Sequence, residues 1–204
     1  IAKPDRGVVG IGVRKIDSLQ DLIEILEIMP CDYMLQDFCD YPLEYGIFYC
    51  KYPNKGSGRV FSLTQKLIPS VVGDGQKTVR ELIDLNPEIK YNKNNLLTHA
   101  KNLDRIPDAG EHYRIWDKAS HTYGCVFRDT NHEITPELDQ WMNQMCSTAN
   151  EFYFGRFDMK IKDKDSLRTG KGVKICELNG CWSEPTHIYD DDHTIAYAAK
   201  EMFH

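Results

Sequence analysis

An α+β fold built mostly from antiparallel sheets is what this sequence predicts, on three observations. Its apolar, β-branched segments come as neighbours joined by short polar links, as in "YMLQDF", "CDYP" and "LEYGIFYCKY". Helical spacing is confined to a few separate stretches and does not alternate regularly with strands, which argues against a doubly wound parallel sheet. The chain has 204 residues, 41% hydrophobic and 27% charged, enough for one large domain or two small lobes with real cores.

"VVGIGVRKI" near the start reads as a strand with glycine punctuation. Ser18 then caps "LQDLIEILEIM", where Leu19, Leu22, Ile23 and Leu26 fall at helical spacing and Pro30 ends the run. "YMLQDF", "LEYGIFYCKY" and "GRVFSLTQKLI" are the next strands. "PSVVGDGQK" reads as a turn-rich loop into a short helix, "TVRELIDLN", with Thr78 as N-cap and Glu81 completing a capping box. Residues 86–110 are polar and expected to be irregular. "EHYRIWDKA" and "YGCVFRDT" are strands. "TPELDQWMNQMCSTANEF" is a helix capped by Thr135, with Pro136 in its first turn and Leu138, Trp141, Met142 and Met145 inside. A hairpin, "GRFDMKI" and "KICELNG" around a charged turn, follows, and Asp192 is placed to cap a final helix, "HTIAYAAKEMF". No internal repeat or low-complexity tract occurs.

The net charge of -6 gives no bulk electrostatic case for nucleic acid or an anionic membrane. No apolar run approaches the roughly 18 residues needed to span a bilayer. No secretory signal opens the chain. Its first residues read as a strand already under way, so a piece cut from a larger protein is expected. Seven cysteines lie scattered without a CxxC pair. That argues against a disulfide framework or structural zinc and for reduced thiols in the cytoplasm.

The final hairpin carries acids where a buried strand would be apolar. Period-2 alternation puts Arg156, Asp158 and Lys160 on one face of the first strand. It puts Ile175, Glu177 and Asn179 on one face of the second. Paired through the turn, Asp158 approaches Glu177 and Asn179. Three oxygen-bearing side chains on one patch suit Mg²⁺, which takes one or two carboxylates together with waters and phosphates. Arg156 is placed to meet transferred phosphoryl charge. A solvated hairpin with polar residues facing water satisfies the same alternation. Near the start, Lys3 precedes a loop with Gly7, Gly10 and Gly12, where backbone N–H groups can approach phosphate oxygens. A glycine-bearing turn is the alternative, and the pattern is neither GxGxxG nor a P-loop.

The stations "KP" with its glycine loop, "LQDF", "PLEYGIF", "GRVFSLTQKLIPSVVGDGQKTVRELI", "GRFDMKI" and "ELNG" occur in one order. In that order the chain resembles the ATP-grasp carboxylate–amine ligases, among them cyanophycin synthetase, glutathione ligases and D-alanine–D-alanine ligases. The resemblance implies a nucleotide held between two lobes, residues 1–36 finishing the first and 37–204 forming the second, with an upstream domain and a further ATP-binding lysine missing. It implies an ATP site in which Lys3, under Gly7, Gly10 and Gly12, holds the α and β phosphates. Gln36 and the backbone of Asp37, Phe38 and Cys39 would meet the adenine, and Glu44 the ribose. Lys66 would aim at the phosphates. Asp158, Glu177 and Asn179 would bind two Mg²⁺ (Mn²⁺ as a substitute), and Arg156 would stabilise an acyl-phosphate.

The implied partners are small-molecule or peptide carboxylate and amine substrates, with a homodimer left open. The tail "GCWSEPTHIYDDDH" departs from the small residues usual after ELN, and Glu184 and His187 there, or His121 in a polar loop, are candidates for the acceptor pocket. His187 and His193 flank Asp190, Asp191 and Asp192, which read as a helix N-terminus or, alternatively, as a metal cluster. Two other classes stay open: a non-catalytic nucleotide-binding or regulatory module, and an α+β interaction domain.

Overall fold

The computed structural model describes residues 1–6, 11–28, 31–89, 97, 100, 102–115, 125–149 and 151–203. The chain divides into two compact units, Ile1–Asp40 and Tyr41–His204.

In the first unit a short antiparallel pair, β1 (Ala2–Pro4) and β2 (Tyr33–Leu35), joins Lys3 to Met34 in register. Helix α1 (Leu19–Ile28) runs between them. The side chain of Asp21 accepts from the Ser18 N–H at 2.9 Å, and Ser18 Oγ accepts from the Asp21 N–H at 3.1 Å, a reciprocal cap. The strand expected over "VVGIGVRKI" does not extend through its described part. Ile11 and Gly12 form a turn, and Arg14 makes only an isolated bridge to Ala2. Gly12 has φ +77°, a left-handed conformation that breaks strand geometry and that glycine adopts without a Cβ penalty.

The second unit is built on a five-stranded antiparallel sheet ordered β7-β4-β3-β8-β9. Its strands are β3 (Leu43–Cys50), β4 (Arg59–Leu67), β7 (Val126–Asp129), β8 (Phe154–Ile161) and β9 (Val173–Asn179). One face carries Tyr45, Ile47, Leu63, Phe157, Met159 and Ile161, all buried. Helix α3 (Pro136–Cys146) seals that face with Leu138, Met142 and Cys146. The Thr135 cap and Pro136 start the helix as expected. It ends at Cys146, earlier than the apolar spacing suggests. Ser147 and Thr148 turn their hydroxyls onto the Gln144 and Met145 carbonyls and draw the backbone out of the helix.

Beside it a smaller pair, β5 (Ser70–Val72) and β6 (His112–Arg114), packs Val71 against Val79 and Ile83 of α2 (Val79–Leu85). The capping box of Thr78 and Glu81 is present. The stretch read as a loop at "PSVVGDGQK" therefore contains a strand. Its three residues are too few for a period-2 signature, and their pairing to a segment some forty residues away supplies the order. The turn between β8 and β9 likewise holds a helix, α4 (Lys164–Thr169), capped by Asp163 and closed by Gly170 at φ +72°. The last helix, α5 (Ile195–Met202), is capped by Thr194 and not by Asp192. No described helix is long and apolar enough to cross a membrane.

Candidate functional site

The second face of the five-stranded sheet is polar. Alternation along β3, β4 and β8 sends Glu44 and Gly46, Ser62, Thr64 and Lys66, and Arg156, Asp158 and Lys160 to this side, opposite the apolar face. The register sets Glu44 against Lys160 and Gly46 against Asp158. Lys66 Nζ lies 2.9 Å from Asp158 Oδ1 and 4.0 Å from Glu44 Oε1. Arg156 Nε donates to the same Asp158 oxygen at 3.1 Å, and Lys160 Nζ meets Glu44 Oε2 at 2.8 Å. The Lys66 and Asp158 side chains are only 6% and 10% exposed. Removing such charges from water costs several kcal/mol each, so their concentration on one patch demands close pairing.

Edge strand β9 completes the patch. Asp158 faces Glu177 and Arg156 faces Asn179 in register. Asn179 Nδ2 donates to Asp158 Oδ2 at 3.2 Å. Asn179 thus meets Asp158, and the exposed Glu177 stands opposite it in register. A register shift follows Asp158, so that Met159 faces Ile175, and the strict alternation expected to keep Ile175 on the face of Glu177 is broken there.

The chain after β9 folds back over this face. Arg156 Nη1 donates to the Glu184 carbonyl at 3.1 Å, and the Glu184 carboxylate lies 3.9 Å from the same nitrogen. Thr186 passes close over Gly46, where an added Cβ would come within 3.1 Å of Thr186 Oγ1 and push that side chain aside by a few tenths of an ångström. His187 is fully buried, its Nδ1 2.7 Å from Ser62 Oγ, and burial pulls its pKa below the usual value. The neighbouring acids do not form a helix N-terminus. Asp190 accepts from the Asp129 N–H and pairs with Arg128, locking the returning segment to β7; these contacts and the Asp192 N–H outweigh burial and hold its carboxyl below the usual range.

A cleft of about 370 Å³ opens at the Glu44 end of the patch, lined by Glu44, Lys66, Lys160, His112 and Arg114 among others. Lys160, His112 and Arg114 were not singled out by sequence. Lys160 shares the Asp158 face by simple alternation, which was a usable signal. His112 and Arg114 arrive by the pairing of β6 with β5, and no local pattern marks them.

In the first unit Lys3 Nζ donates to Gln36 Oε1 at 2.9 Å, bringing two of the predicted nucleotide residues together. Lys15 Nζ stands 5.2 Å over the Phe38 ring. Asp37 and Cys39 lie in the same irregular stretch after β2. Gly7, Gly10 and His121 lie outside the described residues.

The oxygen donors fit Mg²⁺ in kind. Asp158 and Glu177 supply carboxylates, and a half-turn of the Asn179 amide presents its oxygen. Among the described residues no three or more His, Cys, Asp or Glu side chains are grouped to hold a metal. Two carboxylates and an amide suit an ion that completes its shell with water and phosphate oxygens. A cation at Asp158 would displace Lys66, leaving that ammonium free for an anion.

Neither a family model nor a curated protein matches the chain. Among solved structures it is similar to a bifunctional glutathione synthetase from Pasteurella multocida, at 18% identity and a TM-score of 0.47. The match covers 99% of this chain and 30% of that one, so the chain spans under a third of that protein's length.

Proposed function

We propose that this chain carries the metal- and phosphate-facing part of an ATP- and Mg²⁺-dependent carboxylate–amine ligase. The observation that carries the reading is the charge patch on one sheet face, in which the shielded Lys66, Arg156 and Lys160 pair with Glu44 and Asp158 and the exposed Glu177 stands opposite Asp158 in register. A structural sheet gains nothing from such a patch that apolar residues of the same volume would not supply better. A phosphoryl-transfer site needs both signs: acids for the metal and cations for oxygens that gain charge. The ordered stations of the sequence support the same reading.

In this reading Asp158, Glu177 and Asn179 hold the metal, which shields phosphate charge when bound. Lys66 holds a phosphoryl oxygen. Arg156 is fixed by Asp158 and the Glu184 carbonyl, so its guanidinium reaches charge developing on an acyl-phosphate without reorganising. Lys3, Gln36, the 37–39 backbone and Glu44 would hold the nucleotide, with residues 1–36 and 37–204 belonging to its two lobes. Glu184, and His187 through the segment it anchors, would border the amine acceptor. The cytoplasm is the compartment that suits seven free thiols.

The test is Mg-ATP binding and turnover in the intact protein. Saturating Mg-ATP should raise the melting temperature. Asp158→Asn and Glu177→Gln should abolish turnover while the protein stays folded, because each removes a metal-facing charge and little volume. An unmoved melting curve, or normal turnover in both variants, would make the patch scaffold.

A further inference from the structure

The connected end of the antiparallel β3–β4 pair holds a concentration of positive charge that the ligase reading does not use. Between Glu44 and Asp74 the sequence contains no carboxylate, although Asp and Glu together number 31 in the chain. The same stretch contains Lys51, Lys55, Arg59 and Lys66. Lys66 is consumed by Asp158. Lys51, Lys55 and Arg59 have no ion pair among the described residues, whereas most other cations of the second unit's sheet do.

These three side chains line a cavity of about 380 Å³ together with Cys50, Tyr52, Ser57 and Gly58. The frame around it is rigid. Tyr52 O accepts from the Lys55 N–H at 2.9 Å, closing a turn with Pro53 at its second position. Asn143 of α3 clamps Gly58, accepting from its N–H at 2.7 Å and donating to its carbonyl at 2.8 Å. A Cβ at Gly58 would fall 2.4 Å from the Cys50 carbonyl oxygen, so glycine is required for the loop to fold this closely. Asp139, an acid close enough to act on Cys50, does not line the cavity and accepts from the Val60 N–H at 2.6 Å. The N–H groups of Gly56 and Ser57 make no hydrogen bond among the described residues. Burial pushes the Cys50 thiol up against the pull of Arg59, whose side chain hydrogen-bonds it.

We propose that the β3–β4 hairpin end is an anion site for one phosphoryl-type oxyanion, held by Lys51, Lys55, Arg59 and the Ser57 amide. Three cations without an ion pair and the open Ser57 amide, all on the cavity lining, match the donors a tetrahedral oxyanion needs. The site is separate from the charge patch. Cys50 lies four residues beyond Gly46, the partner of Asp158, which is about 13 Å along the strand. The net charge of -6 disfavours a long polyanion and leaves a small one.

The experiment is a titration of the intact protein with inorganic phosphate at constant ionic strength, followed by amide NMR shifts of Gly56, Ser57 and Arg59. Saturating shifts are expected. The Lys55→Ala/Arg59→Gln pair should weaken binding about tenfold or more, while Lys171→Ala, in a distant exposed turn, leaves it unchanged. A parallel titration with β-glycerophosphate distinguishes the sources: tighter binding of the ester points to a phosphorylated ligand, tighter binding of the free ion to phosphate itself. Shifts that drift without saturating and match those in chloride would overturn the proposal. So would equal weakening by Lys171→Ala. Because the readout is residue-specific, phosphate bound at Lys66 would not be mistaken for this site.

Discussion

The two faces of the five-stranded sheet are made by alternate residues of the same strands, yet they bury opposite chemistries. Tyr45, Ile47, Phe157 and Met159 on one side meet Leu138 and Met142 of α3. Glu44, Arg156, Asp158 and Lys66 on the other meet one another. Apolar burial stabilises in proportion to the area removed from water. Charge burial stabilises little or nothing after desolvation, and it persists where a ligand exploits it. The difference assigns stability to the apolar face and leaves the charged face to the proposed chemistry.

The largest expected effect lies on the apolar face. Met142 is fully buried, and Met142→Ala should cost about 2–5 kcal/mol in urea unfolding, leaving Mg-ATP affinity unchanged wherever the variant is still folded. On the charged face, Lys66→Met should cost about 1–3 kcal/mol, because Asp158 loses one partner but keeps Arg156 and Asn179. The double variant Lys66→Met/Asp158→Leu should lose nucleotide binding yet destabilise less than Met142→Ala, its residual cost being Arg156 left without its carboxylate. If the double variant stays as unstable as Met142→Ala, the charged face is structural and the contrast fails.

A third effect concerns the segment that returns over the charged face. His187 is surrounded by Ser62, Asp129, His193, Tyr197 and Glu201, with Nε2 3.7 Å from Glu201 Oε2 and without a hydrogen bond. Burial is the main cause that lowers its pKa, against the attraction of Asp129 and Glu201. The unfolded chain takes up a proton near pH 6.5 where the buried imidazole does not. Stability is therefore complete above that pH and falls as pH drops toward the folded value. His187→Asn should flatten this fall between pH 7.5 and 5.5 in denaturant midpoints; an unchanged slope would show another group responsible. The smallest effect is at α2, where Thr78→Ala should cost about 1 kcal/mol through loss of the Glu81 N–H cap, with no change at the charge patch.

Much of this was legible in the residues because the signals are local. The capping box at Thr78, the Thr135–Pro136 start and the alternation of Arg156, Asp158 and Lys160 each need only a few consecutive positions. The α+β class and the antiparallel neighbours followed from the same short-range patterns. The strand at Ser70–Val72 and the placement of His112 and Arg114 were not legible, because they depend on pairing between distant segments. The two readings of Asp190 and its neighbours, a helix N-terminus or a metal cluster, both looked along the chain, whereas Asp190 is spent across it on Arg128 and the Asp129 N–H.

Spacing along the chain settles which residues carry charge onto a common strand face, since side-chain period in an extended chain is fixed by backbone geometry. It took the fold to shield this face from water and to bring Lys66 to Asp158 across β3. The fold also brings the chain after Asn179 back to cover Gly46. Those outcomes depend on register between strands and on what packs over them, and neither is encoded in the spacing of any one segment.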